Sequence, residues 1–121
     1  MGRVWRGEHR RQGIDVAVKV LAPSGVRPKT ERRLFRREIQ AHARLLHPGI
    51  ARIFDHGLLP AEATVESEGL IEGRPYFAME YADAGTLRDH LPGDWASTRG
   101  VLTAMLDGLA HAHARDVFHR D

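Results

Sequence analysis

Lys19 and Glu38 are the residues whose placement calls for a chemical explanation. Lys19 lies in Ile14 to Leu21, IDVAVKVL, a β-branched apolar run bounded by Gly13 and by Pro23 to Gly25, which predicts a buried strand. Side chains alternate along a strand, so Val16, Val18 and Val20 share one face and Ala17, Lys19 and Leu21 the other. An ammonium on that face either snorkels to water along its own stem or meets an anion. Glu38 falls four residues after Leu34 and seven before Leu45, on the apolar stripe of a predicted helix. A carboxylate buried there without a partner costs several kcal/mol, so it either reaches solvent at the stripe edge or pairs with a cation. Lys19 is the candidate, and such a pair would fix a lysine head group between strand and helix. The terminal His119-Arg120-Asp121 adds charged groups, though as an isolated tripeptide it carries little weight. His111 and His113 do not form a plausible metal site with His119, because they point about 200° apart on a helix.

The elements that must hold these residues can be read in outline. Arg3 to Arg6 predicts a short strand, joined to Ile14 to Leu21 by a polar turn over Gly7 to Gly13, giving a hairpin. Thr30 to Leu46 predicts a helix with Thr30 as N-cap, Leu34, Phe35, Ile39, Leu45 and Leu46 as its apolar positions, and Pro48-Gly49 as its end. Ile50 to His56 and Tyr76 to Tyr81 predict strands, separated by a solvated acidic loop from Pro60 to Gly73 that carries Glu62, Glu66, Glu68 and Glu72. Ala82 to Gly85 reads as a hinge and Thr86 to Leu91 as a short helical stretch. Asp94 to Arg115 predicts a helix with Val101, Leu102, Met105, Leu106 and Leu109 along one stripe.

Composition narrows the function classes. At 121 residues and 42% hydrophobic content, the chain predicts a small globular unit that leaves much of its surface exposed. Its 18 Lys and Arg are nearly balanced by 16 Asp and Glu. The basic run Arg32, Arg33, Arg36 and Arg37 has helical spacing and no interleaved aromatics, so it predicts a solvated helix face rather than nucleic-acid binding. The absence of cysteine excludes disulfides and thiolate metal sites and suits a cytoplasmic location. No apolar run approaches the roughly 20 residues of a membrane span.

Taken in order along the chain, these segments resemble the protein kinase superfamily, in the style of bacterial serine/threonine kinases. Met1-Gly2-Arg3-Val4 looks like the end of the glycine-rich loop G-x-G-x-x-G-x-V, and Val16-Ala17-Val18-Lys19 like the V-A-I-K strand. Phe35 to Ile39 looks like the helix that carries the glutamate paired with that lysine. His47-Pro48-Gly49-Ile50 resembles the turn after that helix. Tyr76 to Leu87, YFAMEYADAGTL, resembles the strand and hinge between the two lobes, and Val117-Phe118-His119-Arg120-Asp121 the approach to the H-R-D motif. The resemblance implies an α+β fold: a small lobe over residues 1–81, a hinge and short helix over 82–93, and the start of the large lobe over 94–121.

It also implies roles. Lys19 would contact ATP phosphates, Glu38 would hold Lys19, and Asp121 would be the catalytic base toward a protein hydroxyl. Gly2, Val4, Ala17, Met79, Glu80 and Ala82 would surround the nucleotide, with Met79 as gatekeeper and Glu80 and Ala82 offering backbone groups to adenine. The expected function is ATP-dependent phosphorylation of protein serine or threonine. The catalytic-loop asparagine, the D-F-G aspartate that binds Mg2+, and the activation segment are missing from this sequence. The chain alone is therefore expected to be inactive and to expose the stripe of its last helix, leaving it prone to self-association. A non-catalytic, pseudokinase-like interaction module and a small-molecule phosphotransferase of kinase-like fold are the alternatives.

Overall fold

In the computed structural model, which describes residues 2–23, 25, 27–65 and 70–118, four antiparallel strands form one sheet in the order β1-β2-β4-β3. Strand β1 spans Arg3–His9 and β2 spans Ile14–Val20, paired in full register from Arg3 opposite Val20 to His9 opposite Ile14. The first strand thus runs three residues beyond the expected Arg6. The turn is correspondingly tight, closed by the Gln12 and Gly13 N–H groups donating to the His9 carbonyl at 2.9 and 2.8 Å. Strands β3, Ile53–Leu58, and β4, Pro75–Glu80, form a second hairpin, and β4 pairs with β2 along Val16 to Val20.

Helix α1 spans Pro28–His42, shifted from the expected Thr30 to Leu46. Pro28 occupies its first turn, where the fixed φ is preorganised and no N–H is needed, so Thr30 is inside the helix and not its cap. The helix stops at His42 because Arg44 N–H and Leu45 N–H turn back to the Ala41 and His42 carbonyls at 3.3 and 2.9 Å. That tightening swings Leu45 inward. Leu45 then packs with Ala112 and Val117, flanked by Ala41 and Ile50. Toward the sheet α1 buries Phe35 and Ile39, each worth about 1.5–3 kcal/mol, and the Phe35 ring lies 6.5 Å from that of Phe77 on β4.

The acidic connection after β3 contains a one-turn helix α2, Ala61–Val65. The expected helix over Thr86 to Leu91 is instead a run of turns. Asp89 holds it locally by accepting from the Thr86 hydroxyl at 2.6 Å and the Thr86 N–H at 2.9 Å, a side-chain competition with the backbone that favours a turn.

Helix α3 spans Trp95–His113, with Asp94 as N-cap accepting from Ser97 N–H at 2.8 Å. It reaches the rest of the chain through small residues. Gly108 and Ala112 are its buried positions, and a Cβ added at Gly108 would lie 3.3 Å from the Gly49 carbonyl oxygen. Its end reverses through Asp116, at φ 57°, with Val117 N–H returning to the Ala112 carbonyl at 3.0 Å. This 6→1 closure sends the chain back toward α1. The expected stripe of α3 faces outward: Leu102, Met105, Leu106 and Leu109 are all exposed.

Candidate functional site

Sheet register brings several of the expected site residues onto one face. Lys19 stands opposite Val4 on β1 and Phe77 on β4, and Ala17 stands opposite Met79. Cross-strand partners share a face and alternate residues return to it, so Val4, Ala17, Lys19, Phe77 and Met79 form one apolar wall with a single ammonium. Ala17 is buried and Lys19 half-buried. The contact between Phe77 and Phe35 puts α1 over this same face. Gly2 lies beside the end of β2, where a Cβ would collide with the Val20 carbonyl. Only glycine lets the chain pass there.

Glu38 is placed differently from the sequence-based expectation. It is exposed, and the ion pairs among the described residues are Arg6–Asp15, His47–Asp107 and Arg74–Glu31, none of them between Lys19 and Glu38. The reason is helical phase: Glu38 sits about 60° around α1 from the buried Phe35. It shares with Leu34 and Ala41 a stripe that faces Asp116, Val117 and Phe118 across a cleft of about 400 Å³, also lined by Arg37 and His42. The floor of that cleft is the segment leading into His119-Arg120-Asp121. Those three residues, Asp121 among them, lie outside the described residues.

At the end of β4, Glu80 N–H donates to the Arg52 carbonyl at 2.8 Å, and its carboxylate accepts from Arg52 N–H at 3.3 Å. The side chain is thus turned to the neighbouring strand. Ala82 follows in exposed chain beyond the strand, and among the described residues no hydrogen bond occupies its backbone N–H.

Two polar groupings went unpredicted. Arg74 donates through Nη1 and Nη2 to both Glu31 oxygens at 2.9 and 3.2 Å, and through Nε and Nη2 to the Leu21 carbonyl at 3.0 and 2.8 Å. The Arg74 and Glu31 side chains are only 14% and 12% exposed. In sequence, Arg74 reads as a loop residue and Glu31 as a first-turn helix acid, and no spacing rule joins positions so far apart. The second grouping connects the turn after α1 to α3. His47 Nδ1 accepts from Gly49 N–H at 3.0 Å, which leaves the ring proton on Nε2 to be donated to Asp107 Oδ2 at 3.1 Å. The His111 ring lies 5.0 Å from that of His47, and its Nε2 is buried without a partner. Burial, with the nearby Arg115 charge, pushes the His111 imidazole below its usual pKa.

The sequence profile of the protein kinase domain matches residues 1–121. Similar proteins include a probable serine/threonine-protein kinase of Streptomyces coelicolor, 32% identical over all of this chain and 17% of its own length. Serine/threonine-protein kinase PknB of Mycobacterium tuberculosis is 37% identical over 88% of this chain and 16% of its own. The crystal structure of the M. tuberculosis PknI kinase domain superposes with a TM-score of 0.72 and 30% identity, over 100% of this chain and 46% of that one. The chain therefore spans about a sixth of the curated relatives and just under half of the solved domain. On the profile match and this superposition, with the sheet and α1 placed as a small lobe requires, the chain belongs to the protein kinase domain family.

Proposed function

We propose that this chain supplies the nucleotide-holding half of an ATP-dependent kinase acting on serine or threonine hydroxyls of proteins. The observation that carries the reading is the wall formed by Val4, Ala17, Lys19 and Met79. An apolar surface with one cation suits a flat heterocycle attached to a polyphosphate. Ala17 leaves room for a ring, and Val4, 56% exposed, can cover it from β1. Lys19 supplies the charge for phosphate oxygens, and the close passage of Gly2 fits a backbone that must approach them. The Ala82 N–H and the Glu80 carbonyl would orient the base through the backbone.

Bound ATP would supply the transferable phosphoryl group. The residues here bind and orient it, and Asp121 would hold the acceptor hydroxyl and take its proton. In this reading the Mg2+ that accompanies ATP would be held by the family's catalytic-loop asparagine and D-F-G aspartate, not by the residues described here. Among the described residues no helix is long and apolar enough to cross a membrane.

A non-catalytic role for the chain on its own is the second reading, favoured by the lack of an ion pair between Lys19 and Glu38 among the described residues and by the exposed apolar residues of α3, through which we propose that it self-associates. Titration of this chain with ATP by calorimetry, beside Lys19→Met, tests the first reading. Saturable binding weakened by about tenfold or more in the variant supports it, since one lost charge-assisted phosphate contact is worth on the order of 1.5–3 kcal/mol. Equal binding by both removes Lys19 from the site.

A further inference from the structure

The wall that carries Lys19 does not end at Ala17 and Met79. Arg6 stands opposite Ala17, and Asp15 opposite Glu8, so strand alternation puts Arg6 and Asp15 on the face of Val4, Ala17 and Lys19. Asp15 lies two residues from Ala17 on the side away from Lys19. The Arg6 guanidinium donates through Nη2 to Asp15 Oδ2 at 2.6 Å, and it lies over the Tyr81 ring, 5.0 Å from the centroid. The hydrogen bond to Asp15 does most to hold this guanidinium above its ordinary pKa, and Tyr81 and Asp83 act in the same direction. One cation on β1 thus faces β2 and two residues of the segment that leaves β4.

Tyr81 is where such a tie has leverage. The Glu80 carbonyl belongs to the peptide unit before the Tyr81 Cα and the Ala82 N–H to the unit after it, and each unit is planar. The relative direction of the two groups is therefore set by the two backbone dihedrals of Tyr81 alone. Strand β4 ends at Glu80, and among the described residues Ala82 to Gly85 make no backbone–backbone hydrogen bond. The sheet ladder does not hold this stretch. Tyr81 is half-buried, and its ring under Arg6 fastens the segment to β1.

Resting on the kinase reading, we infer that Arg6 is a positioning residue for the nucleotide base: stacked on Tyr81 and anchored by Asp15, it fixes the peptide units whose Glu80 carbonyl and Ala82 N–H read the base edge. An acceptor beside a donor in fixed directions matches adenine and opposes guanine. Adenine offers the N6 amino donor and the N1 acceptor, whereas guanine offers the O6 acceptor and the N1–H donor at the same places.

ATP and GTP carry the same triphosphate, so the ratio of their affinities isolates the base. Calorimetric titration of this chain with each nucleotide is expected to show ATP preferred. The Arg6 and Asp15 side chains are 62% and 49% exposed, so solvent limits what the tie can contribute. In Arg6→Ala the ratio should fall about three- to tenfold, the size that an exposed cation–π contact and a surface ion pair together allow, through weaker ATP binding at unchanged GTP binding. Arg6→Lys keeps a cation between Asp15 and the ring and should retain most of the preference. Tyr81→Leu removes the ring, leaves the ion pair, and should lower the ratio as Arg6→Ala does.

A residue that only stabilised the fold, or a cation that only attracted phosphate, would change both affinities by the same factor. An unchanged ratio in Arg6→Ala overturns the positioning role, as does a wild-type chain that binds the two nucleotides equally. Should Arg6→Ala fail to fold, the ratio in Tyr81→Leu decides in the same way. Those results leave the kinase reading standing as long as ATP binding depends on Lys19. A wild-type chain that binds no ATP, or a Lys19→Met variant that binds it equally well, removes the kinase reading and this inference together.

Discussion

At the scale of single residues, the proposed function rests on one ammonium set in an apolar wall. Lys19 stands between Val4 on β1 and Phe77 on β4 and is only half-buried there. The same scale holds a group with a pH signature. The His111 imidazole is held below its usual pKa by burial first, then by Arg115. A base whose pKa is lower folded than unfolded binds its proton more readily in the unfolded chain, so its neutral form supports the fold and its protonation opposes it. The contribution is intact above about pH 6.5, the ordinary histidine value, and is lost as pH falls below it toward the depressed folded value. Urea unfolding midpoints should therefore drop between about pH 7.5 and 5.5, and His111→Gln should flatten that dependence. An equal slope in the variant would assign the effect to other histidines. Lys19 was legible in sequence because strand alternation is local. Glu38 was legible as a helix residue, but its exposure was not, since helical phase relative to the sheet depends on which of two neighbouring stripes packs. Phe35 and Ile39 take the sheet, and Leu34, Glu38 and Ala41 take the cleft.

At the scale of elements, the strands and the two long helices follow from local pattern, and their ends follow from contacts that no local pattern contains. Helix α1 stops at His42 because Leu45 is wanted in a cluster with Ala112 and Val117, residues far along the chain. The run over Thr86 to Leu91 has helical composition, yet the Asp89 carboxylate takes the Thr86 N–H and turns it. The joint between the turn at His47 to Ile50 and α3 shows the same dependence on distant partners. Gly49 and Gly108 let two backbones approach, and His47 fastens the joint to Asp107. Gly108→Val should press a branched side chain on the Gly49 carbonyl and Ile50, costing about 1–3 kcal/mol as overpacking does, with α3 losing amide protection before the sheet. Unchanged hydrogen-exchange protection along α3 would show that the joint yields without cost.

At the scale of the molecule, the fold is a sheet and helix of a kinase small lobe joined to one long helix whose apolar side is exposed among the described residues. Leu102, Met105 and Leu106 are 47%, 53% and 64% exposed, a contiguous surface of the kind that monomers cover. At tens of micromolar, a range in which exposed apolar surface drives association, light scattering should find oligomers, and Leu102→Glu with Leu106→Glu should shift the population toward monomer. A wild-type monomer under those conditions would refute self-association through this face. The order of segments along the sequence was enough to suggest the family, whereas the polar tether at Arg74 and the joint at His47 needed coordinates, because both unite residues more than forty positions apart. The central claim is that Lys19 addresses the phosphates of a bound nucleotide. An ATP analogue bearing an acyl group on its terminal phosphate delivers that acyl group to an amine held beside the phosphates. Peptide mass spectrometry should find it on Lys19, suppressed by excess ATP, with the exposed Lys29 modified slowly and without regard to ATP. Modification of Lys29 alone, or of Lys19 at a rate that ATP does not change, would contradict the account.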